Sequence, residues 1–112
     1  MNLSVNNNDG VVYADAYGSM DWDYVFSDDD FVGLKNRATG LCIGANVWTI
    51  SLAECNIQSR YQQWKVKSMG SAFVFINRNS SLCLTQSNKI VIGFSCINTK
   101  NQIWLITAPS NC

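Results

Sequence analysis

The chain is 112 residues long, 47% hydrophobic and 14% charged, with eight basic and eight acidic residues and no histidine. That length builds one domain around a single modest core, and the composition is that of a compact β protein rather than a disordered segment. The missing histidine excludes Ser-His and Cys-His nucleophilic catalysis and the common mixed Cys/His metal sites, and no apolar run reaches the ~18 residues of a membrane span.

The first thirty residues carry seven aspartates (Asp9, Asp15, Asp21, Asp23, Asp28, Asp29 and Asp30) and no base. From Lys35 onward stand all eight bases, against Glu54 alone. Three readings of this split are open: a polarised surface that docks on a partner, an acidic segment that faces the basic ones within the fold, or one that is simply solvated. The aspartates lack the spacing and the glycine of an EF-hand loop, so no metal or other cofactor is expected. Thinly spread bases and zero net charge disfavour nucleic acid. The opening residues Met1–Asp9 have neither the positive end nor the apolar stretch of a signal peptide. A secreted form would therefore have lost its leader.

In chain order, the apolar runs are short. Leu3-Ser4-Val5, Val11-Val12-Tyr13 and Trp22–Phe26 come first, and turn-forming residues separate them. Phe31–Leu34, Leu41–Ile43, Ile50–Leu52 and Trp64–Val66 follow, and the pattern is then written again from Phe73 to Ile106. Cys42 aligns with Cys83 and Cys55 with Cys96 at an offset of 41, and Trp64 with Trp104 at 40. A near-constant offset marks one supersecondary unit used repeatedly. Asn36-Arg37 and Asn77-Arg78 open the first turn of each copy, and no helical period is sustained. The expectation is an all-β chain forming a single domain over residues 1–112, with about four strands per unit and units at approximately 1–29, 30–69 and 70–108. The first unit is worn and lacks its first strand. Stepping back 40 puts Tyr24 in the place of Trp64 and Asp15 in that of Cys55.

Cys42 and Cys55 are 13 residues apart, as are Cys83 and Cys96, and no CxxC motif is present. The economical account is two equivalent disulfides, each contributing about 2–3 kcal/mol by loop closure and pointing to an oxidising compartment. Four buried thiols in a cytosolic core are the alternative. Cys112 is left over, either as a free thiol or as a bond to another chain. A glycosidase would need two positioned carboxylates, and a phosphate site would need a glycine loop between strand and helix. Neither is present, and a non-enzyme is expected.

Gln62-Gln63-Trp64 and Gln102-Ile103-Trp104 each end a unit that has Cys-Ile or Cys-Leu near its start. With the cysteine pairs in register, this resembles the ricin B-chain type, or Gln-x-Trp, β-trefoil lectin family. The likeness is good over residues 31–107 and frame-consistent over 3–26. It implies twelve strands with pseudo-threefold symmetry, six forming a barrel and six capping it, with the Gln-x-Trp tryptophan filling the shared core and the glutamine tying strand ends. It also implies sugar cups made of an acid after the first cysteine, a stacking aromatic and an amide beside Gln-x-Trp. In the second unit those places fall to Gly44, Ala53 and Tyr61, so that cup reads as lost. Ser4, Tyr13 and Asp21 fill them in the first unit. In the third, Thr85 replaces the acid while Phe94, Asn101 and Gln102 fit.

The cell-binding subunits of bacterial cytolethal distending toxins are similar trefoils with eroded sugar motifs. The resemblance thus implies a carbohydrate- or receptor-binding module of a secreted toxin or lectin, whose partner is a glycan or glycosylated receptor. The alternative is a sugar-dead trefoil that holds another toxin chain, with Cys112 as the interchain link. A β-trefoil protease inhibitor is a third class, but no rigid reactive loop is evident. Trp22 and Trp48 stand outside the Gln-x-Trp set and read as exposed, with Trp48 in a turn where it would suit a recognition platform.

Overall fold

A computed structural model describes residues 2–5, 12–15, 22–26, 30–37, 39–46, 48–70, 72–87, 90–97 and 99–104. These form ten strands: β1 Asn2–Val5, β2 Val12–Asp15, β3 Trp22–Phe26, β4 Val32–Asn36, β5 Leu41–Asn46, β6 Thr49–Glu54, β7 Trp64–Met69, β8 Ala72–Asn77, β9 Cys83–Ser87 and β10 Ile90–Phe94. Short 3-10 turns at Arg60–Gln62 and Lys100–Gln102 complete the regular structure among the described residues. The chain is all-β, as its run pattern implies. Seven strands close on themselves in the order β4-β7-β8-β9-β10-β6-β5, with every neighbour antiparallel. The β1–β2 hairpin joins this ring through β10, and β3 lies along β4. Closure removes the open edges that a sheet of this size would otherwise expose.

The turns explain why the strands fall where they do. After β4, the Asn36 side-chain oxygen accepts the Thr39 N–H at 3.0 Å, and the Gly40 N–H donates to the Asn36 carbonyl at 2.8 Å. After β8, Asn77 does the same work: its side-chain oxygen accepts from the Asn79 and Ser80 N–H groups, and the Ser81 N–H reaches its carbonyl at 2.9 Å. An asparagine that bonds its own downstream backbone reverses the chain without help from the sheet. Both turns end in the left-handed region, at φ 73° for Gly40 and 62° for Ser81. The disulfides form as expected, Cys42–Cys55 and Cys83–Cys96. Each staples the strand after one of these turns to the loop that follows the next strand.

Trp22, Leu34, Ile43, Trp64, Phe75, Leu84 and Trp104 meet at the centre, with Val32, Ala45 and Val91 around them. Trp22, expected at the surface from the sequence, is instead 1% exposed. Pairing gives the reason. Trp22 sits opposite Asn36 in β3–β4 just as Trp64 sits opposite Asn77 in β7–β8. Tyr24 pairs with Leu34 and only leans on the core, as Val66 does opposite Phe75.

Candidate functional site

The Gln-x-Trp pairs hold the outer ends of two hairpins. The Trp64 indole N–H donates to the Ile43 carbonyl at 3.1 Å, and that of Trp104 to the Leu84 carbonyl at 2.9 Å. Gln62 is a two-way tie: its amide donates to the Glu54 carbonyl at 2.9 Å and accepts the Asn56 N–H at 2.7 Å. Gln102 repeats it, donating to the Ser95 carbonyl at 2.7 Å and accepting the Ile97 N–H at 2.9 Å. Each 3-10 turn is thereby fixed against the face of its hairpin. Buried polar groups that satisfy both partners in this way define one geometry and resist others.

In the β9–β10 hairpin, the predicted site residues divide into two levels. Thr85 is 3% exposed. Its hydroxyl donates to the Cys83 carbonyl at 2.8 Å and accepts from the Gln102 amide at 3.1 Å. Gln102 is likewise buried. Both are committed to internal bonds. Phe94 and Asn101 remain at the surface: Phe94 lies opposite Cys83 in the ladder and is 42% exposed. Asn101 is half-buried, donating to the Gln86 carbonyl at 3.2 Å and accepting from the Thr99 hydroxyl.

Of the first-unit residues, Asp21 lies outside the described residues, while Ser4 and Tyr13 are backbone partners in the β1–β2 ladder. The corresponding cross-pairs elsewhere are Gly44 with Ser51 and Thr85 with Ile92. Ser4 thus aligns with Thr85, but Tyr13 aligns with Ser51 and Ile92. Asp15, opposite Asn2, takes the place that Ala53 and Phe94 hold.

The second hairpin holds what the sequence reading missed. Where it counts three lost residues, the fold has a cleft of about 380 Å³ lined by Gly44, Asn46, Ser51, Ala53, Tyr61 and Gln62 among others. The signal was there in the small side chains: glycine, serine and alanine stand where Thr85, Ile92 and Phe94 fill the third hairpin. Tyr61 is exposed, and its carbonyl accepts the Asn77 side-chain amide at 2.9 Å.

Trp48, exposed as its turn position suggests at 53%, packs its ring against Phe94 with centroids 6.1 Å apart and planes tilted by 50°. The Gly93 N–H donates to the Trp48 carbonyl at 2.9 Å, which ties its turn to β10.

Charge plays its part elsewhere. Arg37 grips Asp23 through two side-chain bonds, at 2.6 and 3.2 Å, and these hold the Asp23 carboxyl below the usual range, helped by Lys35. At this contact the acidic segment meets the basic one within the fold. Among the described residues no three His, Cys, Asp or Glu side chains converge as a metal site would need, and no helix is long and apolar enough to cross a membrane.

No family model matches the chain, and no curated protein matches it in sequence. Solved structures do share its fold. ThreeFoil, a designed three-fold symmetric protein, is 19% identical with a TM-score of 0.75, over 96% of this chain and 90% of its own. SeviL, solved bound to asialo-GM1 saccharide, is 10% identical with a TM-score of 0.76, over 92% of this chain and 84% of its own. A chain of the Haemophilus ducreyi cytolethal distending toxin is 16% identical with a TM-score of 0.70, over 98% of this chain and 83% of its own. At these identities the likeness concerns the fold.

Proposed function

We propose that the chain is a carbohydrate-binding module, a single β-trefoil over residues 1–112 built from units at about 1–29, 30–69 and 70–108. It binds a glycan or glycosylated receptor and performs no catalysis. The observation that carries this reading is Phe94: a large ring left at the surface of a hairpin, beside a disulfide, in a fold shared with a saccharide-bound protein. An aromatic side chain offers a flat apolar face at little entropic cost, which suits the C–H face of a sugar. Asn101 supplies hydroxyl contacts nearby, with Thr85 and Gln102 as the rigid floor. The first-unit group Ser4, Tyr13 and Asp21 is the lesser candidate. Two disulfides support an oxidising, extracellular setting.

An array of immobilised oligosaccharides tests the reading. Phe94→Ala should lower affinity about ten-fold or more, which corresponds to about 1–2 kcal/mol, and Asn101→Ala should weaken it too. Neither should move the unfolding midpoint. Filling the second-hairpin cleft with Ala53→Leu should leave affinity unchanged. A wild-type domain that binds no glycan ends this proposal.

A second reading has its own support in the toxin-chain match over 98% of this chain. In it the trefoil is a sugar-dead subunit that holds another toxin chain, with Cys112, which lies outside the described residues, as the link. A partner released only by reductant on a non-reducing gel, and retained by Cys112→Ser once reduced, would favour it.

A further inference from the structure

Resting on the carbohydrate-binding reading, we infer that Trp48 and Phe94 form one stacking platform shared by two hairpins. It receives successive rings of an uncharged oligosaccharide on the outer surface rather than inside a cup. Thr85 shows why the cup of the third hairpin is closed. Its hydroxyl is spent on the Cys83 carbonyl and the Gln102 amide, and it is all but inaccessible. A sugar hydroxyl can reach no acceptor there. What that hairpin offers a ligand is the ring of Phe94, and Trp48, from the turn between β5 and β6, lies against it.

Trp48 is not there for the core. It is the most exposed of the large apolar side chains described, and Trp22, Trp64 and Trp104 fill the interior without it. Yet its backbone is held. The Gly93 N–H bonds its carbonyl, Thr49 beside it pairs with Ile92, and Asn46 pairs with Thr49 across the turn. Phe94 is fixed equally well, opposite Cys83 and two residues from Cys96. Exposed rings on braced backbone lose little freedom when a ligand arrives.

The geometry and the surroundings narrow the ligand. Rings inclined at 50° cannot both lie flat on one pyranose, so each takes its own sugar ring along a chain. Thr49 and Ser95 follow the two rings in the chain, Asn46 and Ile92 pair with Thr49 in the ladder, and none of the four is charged. A sialic acid carboxylate would find no cation among these residues, whereas hydroxyl and amide groups suit a neutral sugar.

The protein carries its own probe. Of its four tryptophans, three are at most 1% exposed, so iodide in solution quenches Trp48 alone. The test pairs an array of neutral and sialylated oligosaccharides with iodide quenching in the presence of the best-bound soluble member. Neutral oligosaccharides should bind better than their monosaccharides or sialylated forms. Binding should shield the fluorescence from iodide. Trp48→Ala and Phe94→Ala should each weaken binding ten-fold or more at an unchanged unfolding midpoint, and Trp48→Phe should recover most of the loss. If Phe94→Ala abolishes binding while Trp48→Ala does not, and quenching is unaffected by ligand, the shared platform is wrong and the carbohydrate reading survives. If no oligosaccharide binds, or the rings engage only phosphatidylcholine vesicles or a protein, both fall.

Discussion

Ser81 occupies a backbone conformation that Gly40 adopts freely in the matching turn. A left-handed L-residue costs roughly 1–2 kcal/mol, and a glycine returns about 0.5–1 kcal/mol of that as lost chain freedom. Ser81→Gly should therefore stabilise the domain slightly, by less than about 1 kcal/mol, in chemical denaturation. Gly40→Ala should destabilise it by about 1 kcal/mol through the backbone alone, since no atom would crowd the added methyl. The Asp23 carboxyl has a direction to test as well. Held below its ordinary range by Arg37, it adds to stability above the unfolded carboxylate range and loses that contribution as pH falls through its lowered value. In an NMR titration Arg37→Ala should return Asp23 toward the ordinary value. The pair is exposed, so any stability change should be small.

At the scale of elements, the two complete hairpin units are the same device built twice. Asparagine turn, disulfide, glutamine tie and tryptophan recur in the same places, and all four were legible because cysteines, glutamines and tryptophans keep their spacing. The cup contents were not legible. Whether Thr85 faces a ligand or spends its hydroxyl inside depends on where Gln102 points, and no spacing encodes that. The cleft of the second hairpin was not legible for a related reason: losing side chains from a list of contacts opens space. The glutamine ties invite a comparison. Gln62→Ala strands the Asn56 donor and the Glu54 acceptor, while Gln102→Ala strands the Ile97 donor, the Ser95 acceptor and a bond to buried Thr85. Buried polar groups left without partners cost about 1–3 kcal/mol each, and less where water can reach them. Both variants should lower the unfolding midpoint, and Gln102→Ala should lower it further.

For the whole molecule, the question is whether the first segment belongs to the barrel or merely covers it. A fixed step of 40 residues assigned Tyr24 to the core and left Trp22 outside. The pairing reverses this: Trp22 to Trp64 spans 42 positions where Trp64 to Trp104 spans 40, and on the other side of Trp22 the connection from Asp15 spans only 7, where Ala53 to Trp64 spans 11 and Phe94 to Trp104 spans 10. Loops absorb such deletions easily while strands do not, so a constant offset fails across a loop even when the elements on both sides are retained. Trp22 meets Leu34, Trp64 and Trp104 in one cluster, and the proposed threefold unit makes it their equal. Truncating a core tryptophan to alanine typically costs about 3–5 kcal/mol. If the first segment is a full unit, Trp22→Ala should fall in that range beside Trp64→Ala and Trp104→Ala, and each variant should still unfold in one cooperative step. If the segment only covers a barrel that is stable by itself, Trp22→Ala should be nearly neutral, or denaturation should split into two transitions. The domain would then be a two-unit barrel with an appended hairpin, and the threefold reading would have to be given up.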